Sequence, residues 1–143
     1  MLSVYPGIFI QDIQGRYTVI FPDLNHLATC GEDMQEAMVM AVDCLAGYIY
    51  SEHRDGHTVP QASSLEQIDF GAEHIDENDP DIARVFVNLV SVDVEEYARN
   101  HFNKAVKKTL SIPQWLNDMA IAQKINFSKV LQAALKRELG VEA

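Results

Sequence analysis

The chain has 143 residues, 48% hydrophobic and 22% charged, which suits one folded domain or two small ones and excludes a disordered polymer. No run of about 18 apolar residues occurs, and no basic segment followed by an apolar core opens the chain, so a cytoplasmic protein without a membrane helix is expected. The formal charge of −10 hides a division: residues 1–103 hold 4 basic and 18 acidic side chains, net −14, and residues 104–143 hold 7 and 3, net +4. An acidic body attracts basic partners and repels nucleic acid, while a basic segment does the reverse.

Val4 to Ile13 is rich in β-formers and ends at Gln14-Gly15, a turn signal. Arg16 to Phe21 alternates, with Tyr17, Val19 and Phe21 on one face, so the two segments read as a β-hairpin that ends at Phe21-Pro22-Asp23. Leu27 to Cys30 supplies a short third strand, broken by Gly31. Asp33 and Glu36 fit a capping box. Met34, Ala37, Met38, Ala41, Val42, Leu45 and Ile49 follow at helical spacing, giving one apolar stripe to pack on the sheet, and Asp55-Gly56 ends the helix. Residues 56–83 are polar, with Pro60, Pro80 and seven acidic side chains, and read as a long loop. Arg84 to Val92 is apolar on both faces, which predicts a strand in the centre of the sheet. Asp93 and Glu96 form a second capping box, opening a helix from Val94 to His101.

Candidate chemistry in this body is sparse. Asp12, Asp23 and Asp43 are the residue type that holds two metal ions in nucleases, but nothing in their spacing marks them as ligands, and solvated charge is expected. His53 and His57 sit four apart, as a zinc pair would, yet lack a third ligand and are separated by Asp55-Gly56. Cys30 and Cys44 show no metal spacing and are expected to be buried free thiols, the alternative being a disulfide. Met34, Met38 and Met40 read as core. No phosphate loop, Gly-x-Ser-x-Gly or Cys-x-x-Cys is present. Neither a cofactor nor an enzymatic activity is expected.

The basic end has its own pattern. In Lys104 to Ile112, Val106, Lys108, Leu110 and Ile112 fall on one face of an extended segment, and Lys107, Thr109 and Ser111 on the other. A lone strand of this kind needs a partner, and a second copy of the chain supplies one. The paired strands make an antiparallel ribbon whose polar face suits a major groove. Pro113 suits the first turn of a helix whose buried face is Trp115, Leu116, Met119 and Ala120. Lys124-Ile125-Asn126 turns the chain. Asn126 caps a second helix with the stripe Phe127, Val130, Leu131, Ala134, Leu135 and Leu139, and Gly140 suits its exit. Some forty residues are too few to hold a core alone, and dimerisation solves that.

Residues 104–140 resemble the ribbon-helix-helix DNA-binding module. The resemblance implies that Lys107, Thr109 and Ser111 read bases, and that Asn126 with the N–H groups of Phe127 and Ser128 clamps a backbone phosphate. A two-helix oligomerisation tail without DNA function is the bland alternative. The body adds to this. Tyr17 to Leu24, with Phe-Pro-Asp-Leu, and Ala28 to Met38, with Glu-Ala in the helix opening, resemble the start of HicB-type antitoxins. His26-Leu27-Ala28 departs from that family's small residue, Gly and Cys, and residues 56–83 carry no pattern that contributes to the resemblance.

The resemblance implies an α+β protein in two domains. Residues 1–103 would form a small antiparallel sheet with helix, a degenerate ribonuclease H-like fold without its activity. Residues 104–143 would form a ribbon-helix-helix module. It also implies the partners: a HicA-type toxin, small, basic and messenger-RNA-cleaving, masked by the body; operator DNA, bound by the tail to repress the operon; and a homodimer through the C-terminal strands, with two dimers pairing into a tetramer on tandem half-sites. Two other classes stay open. One is a stand-alone repressor whose body senses a small ligand, and the other is a metal-dependent nuclease.

Overall fold

The computed structural model describes residues 1–141, so the last two residues of the expected DNA-binding domain lie outside it. The chain divides into two compact units, Met1–Lys104 and Ala105 onward. Among the described residues no helix is long and apolar enough to cross a membrane.

The first unit is an antiparallel sheet carrying helices. Strands β1 (Leu2–Asp12) and β2 (Tyr17–Phe21) form the expected hairpin, with Ile8 opposite Ile20 and Gln11 opposite Tyr17. Asp12 builds the turn between them, its carboxylate accepting the N–H of Gln14 and of Arg16, both at 2.9 Å. After a 3-10 turn at Pro22–Leu24 comes β3 (Leu27–Gly31), which pairs with β2. Helix α1 (Met34–Arg54) follows. Its N-cap Asp33 accepts the Glu36 N–H at 2.8 Å, but the return bond of Glu36 goes to the Glu32 N–H at 2.6 Å, one residue before the cap. Gly31 does not break β3; it is the buried last residue of the strand, where a Cβ would lie 2.3 Å from the Ala37 nitrogen.

The α1 stripe behaves as its spacing predicts. Ala37, Ala41, Leu45, Ala46 and Ile49 are buried on Tyr5, Phe9, Tyr17, Val19 and Phe21, with Met34 and Met38 partly buried beside them. Met40, in contrast, is exposed, because it lies off the stripe. β4 (Ile82–Asp93) runs antiparallel to β1 over nearly its whole length, and Phe86 stacks on Phe9 at 5.3 Å between centroids. The strand order is β3-β2-β1-β4. β4 is therefore an edge strand, not a central one. Its double-sided apolarity has another origin. Phe86, Val90 and Val92 contribute to the core beneath α1, while Val85 and Val87 share the opposite face with Ile8, which is itself fully buried. Helix α2 (Val94–His101) then packs on α1. Asp93 caps it by accepting the Glu96 N–H at 3.1 Å, and among the described residues Glu96 gives no bond back.

The connection between α1 and β4 is tied down rather than loose. The Tyr5 hydroxyl donates to the Pro60 carbonyl, the Asp23 carboxylate accepts from the Ser63 N–H and hydroxyl at 2.8 and 2.6 Å, and the Ile13 N–H donates to the Asp81 carbonyl at 3.0 Å. His26 Nδ1 lies 2.6 Å from the Glu73 carboxylate, whose side chain is nearly buried. These anchors lie at both ends of the sheet.

The second unit holds α3 (Gln114–Ala122) and α4 (Phe127–Glu138). Pro113 sits one position earlier than expected, at the N-cap, in extended conformation. Residues 105–113 before it are neither helical nor paired in a ladder. α1, α3 and α4 end in the same way. The residue two past each C-cap bonds back five positions (His57 to Glu52, Ile125 to Ala120, Val141 to Lys136) around a left-handed residue, Gly56, Lys124 or Gly140.

Candidate functional site

The six residues expected to meet DNA fall in the second unit, in two groups. Lys107, Thr109 and Ser111 lie in the unpaired segment before α3, all exposed. Asn126, Phe127 and Ser128 open α4. Asn126 Oδ1 accepts the Lys129 N–H at 3.0 Å, as its capping role requires. That leaves the first N–H groups of the helix, on Phe127 and Ser128, without an acceptor among the described residues. Free N–H groups at a helix start attract an anion, and Lys124 and Lys129 flank them in the sequence.

The apolar faces of this unit are bare. Trp115 is 64% exposed, Leu139 74% and Val106 83%; among the described residues the unit buries no side chain. The faces expected to be buried are only half-buried at their centre, at Ala120, Leu131 and Ala134. The physical reason is size, since two helices of 9 and 12 residues cannot enclose a core on their own.

In the body, the three aspartates expected to be solvated are structural. Asp12 orders the hairpin turn and accepts from Arg16 Nε at 2.9 Å, Asp23 holds Ser63, and Asp43 accepts the Tyr97 hydroxyl at 2.9 Å. Burial opposes the ionised form of Asp12, but the hydrogen bonds from Arg16 and Gln14 together outweigh it and hold the carboxyl below its ordinary value. The Tyr97 hydroxyl is pushed up, by burial first and then by the Asp43 charge. Among the described residues no three His, Cys, Asp or Glu side chains are grouped to hold a metal ion. His53 and His57 fall on either side of the α1 exit, and His57 pairs instead with Glu52 at 3.2 Å. Cys30 is exposed on β3, a correction to the buried thiol expected there, because its side chain alternates away from α1. Cys44 is half-buried, and burial followed by the neighbouring Asp43 pushes its thiol up. Both are free. Two surface clefts, of about 640 Å³ beside Ile68–Asn78 and about 430 Å³ between Tyr50 and Phe102, are open to solvent.

Sequence reasoning missed the surface made by the free edge of β4. The signal was present in Pro6. The β1–β4 ladder runs unbroken through Pro6 opposite Leu89, although proline has no N–H. That pair must therefore be a non-hydrogen-bonded one, and alternation then turns the N–H and C=O groups of Val85, Val87, Leu89 and Ser91 outward. The Leu89 N–H confirms it by donating to the Asn88 side chain at 2.9 Å rather than to β1.

Comparison with known proteins adds the lineage. The family of HicB-like antitoxins of bacterial toxin–antitoxin systems matches residues 4–71. A chain from a toxin–antitoxin complex of Streptococcus pneumoniae is 30% identical, with 96% of this chain and 99% of that one covered and a TM-score of 0.60. More distant are the antitoxin HicB of Burkholderia pseudomallei (21% identical, 99% of both chains, TM-score 0.47) and a chain of a HicA3–HicB3 toxin–antitoxin complex (14%, 61% of this chain and 94% of that one, 0.45). No curated protein matches. With near-complete mutual coverage of the streptococcal chain and the family match across the hairpin and α1, the chain belongs to the HicB-like antitoxins of bacterial toxin–antitoxin systems.

Proposed function

We propose that this protein is the antitoxin of a type II pair in which the acidic N-terminal unit masks a small basic HicA-type toxin and the C-terminal unit binds operator DNA as a ribbon-helix-helix homodimer, repressing its own operon in the cytoplasm. The observation that carries the reading is the division into two units of opposite charge, of which the basic one has two helices, the second capped by Asn126, but no buried side chain among the described residues. Such a unit is complete only when a second copy covers Val106, Leu110, Trp115 and the α4 stripe. Pairing residues 106–112 of two copies would give the segment the ladder it lacks and set Lys107, Thr109 and Ser111 side by side on one polar face. The free N–H groups of Phe127 and Ser128, beside Asn126, would take a phosphate on each flank, and two dimers would occupy tandem half-sites as a tetramer.

Neutralisation on this reading involves no chemistry. The body is a ribonuclease H-like remnant whose aspartates serve turns and loop anchors, and it acts by charge complementarity around a packed apolar contact. Ribonuclease activity in the purified chain would sink that part.

The test has two arms. Residues 1–103 and the full chain are each co-purified with the small basic protein encoded beside them; both are expected to form the complex and restore growth. For the tail, Lys107→Ala is expected to weaken operator binding by about 1–3 kcal/mol and to relax base preference, if it pairs with guanine. Unchanged operator binding would mean that the register of the strand is different.

A further inference from the structure

We infer that the free edge of β4 is where the basic partner docks, by adding an extended segment of its own to the antitoxin sheet; this rests on the antitoxin reading above. The edge is long, spanning Ile82–Asp93, and on its outer side no strand pairs with it among the described residues. Val85, Val87, Leu89 and Ser91 present their backbone groups there. Natural sheets protect such an edge with proline, lysine, a bulge or a covering element, because unpaired N–H and C=O groups template another chain. β4 contains no proline and no lysine, and the ladder irregularity lies at Gln11–Asp12, at one end. One blunting device is present and it is reversible. Asn88 folds its amide oxygen onto the Leu89 N–H at 2.9 Å, holding a donor that an incoming carbonyl would take over by a simple side-chain rotation. Beside it the Leu89 side chain is 49% exposed, continuous with exposed Val4 and Leu2 on β1. A strand laid on this edge would gain main-chain hydrogen bonds from the backbone and an apolar contact from these three side chains.

Charge decides between occupants. At the Ile82 end, residues 76–84 carry Asp76, Glu77, Asp79 and Asp81 against Arg84. At the other end stand Glu95 and Glu96, beside Asp93, which is paired with the Met1 ammonium at 2.8 Å. Antiparallel pairing of β4 with β4 of a second copy would bring the first acidic end against the second, twice. Like charges so placed are destabilising. A basic segment finds acidic groups at both ends and an uncharged apolar stretch between them. The occupant is therefore a basic protein and not another antitoxin.

The experiment uses the full chain and the purified small basic protein encoded beside it. Leu89→Pro removes an N–H that faces away from β1, so it blocks strand addition while leaving the β1–β4 ladder intact. Leu89→Lys places a cation on the same edge, and Val39→Lys places one on the exposed side of α1 as a control. Both Leu89 variants are expected to bind the basic protein at least tenfold more weakly, with operator binding retained and the melting midpoint within a few degrees of the parent; the control is expected to bind normally. Should Leu89→Pro fold poorly, Leu89→Lys decides. If the parent forms the complex and the Leu89 variants form it equally well, the edge is not the dock and the antitoxin reading survives. If they lose a tetramer while keeping the complex, the edge joins copies of this chain, which also overturns the inference. If the parent captures no basic neighbour, the antitoxin reading itself falls.

Discussion

Gly31 is the most closely approached glycine of the body, because the first turn of α1 lies against it so closely that a Cβ would meet the backbone of Glu36 and Ala37. Backbone cannot swing aside as a side chain can, so Gly31→Ala is expected to destabilise the N-terminal unit by about 1–3 kcal/mol. Thermal unfolding of the full chain measures it, and an unchanged midpoint would show that α1 can slide on the sheet. Asp12 gives a pH dependence of known sign. Its folded-state carboxyl is held below the ordinary 3.8, so the stability it contributes is present above that value and is lost as pH falls through the lowered one. Asp12→Asn is expected to flatten the acid limb of the unfolding profile below about pH 4; an acid limb as steep as the parent's would move the effect to other carboxylates. None of these roles was legible in the sequence. Asp12, Asp23 and Asp43 each take a partner chosen by folding, and for Asp23 that partner, Ser63, lies 40 residues away with no periodic trace.

At the scale of the element, what was legible is what repeats. The period-two run Tyr17, Val19, Phe21 and the helical stripe of α1 placed the hairpin and the helix correctly, because both patterns report one buried face. β4 misled for the same reason, since burial on two faces is indistinguishable in sequence from a central position. The turn at His26 was also opaque. Asn25 and His26 both take left-handed backbone, at φ 56° and 58°, in a stretch without glycine, and Glu73 of the distant connection meets the His26 ring. The α3 exit shows the same economy, with Lys124 at φ 55° where α1 and α4 use glycine. Lys124→Gly removes a left-handed strain of about 1 kcal/mol or more, partly offset by chain entropy, and is expected to raise the tail's melting midpoint slightly. Asn126→Ala is expected to cost about 1 kcal/mol through loss of the cap. It tests more than stability, because an operator affinity that falls beyond the loss of folded tail would place Asn126 at the phosphate, whereas a fall that only tracks unfolding would confine it to capping.

At the scale of the molecule, the two units obey different rules. The body buries its own core and is expected to melt at a midpoint independent of protein concentration. The tail fully buries no side chain among the described residues of one chain, so its midpoint is expected to climb as concentration rises. A tail transition indifferent to concentration, followed by circular dichroism of the full chain over a hundredfold range, would remove the dimer. If the tail reads operator DNA as a pair, as proposed above, the bare faces of α3 and α4 have a consequence for control of the operon. Repression by such a reader would then sense the square of the antitoxin level. When pairs are scarce, halving the number of chains leaves about a quarter of the readers by mass action. Dilution at cell division or loss of a gene copy would then lift repression more steeply than the fall in protein itself, and the operon would refill before its neutralising stock is spent.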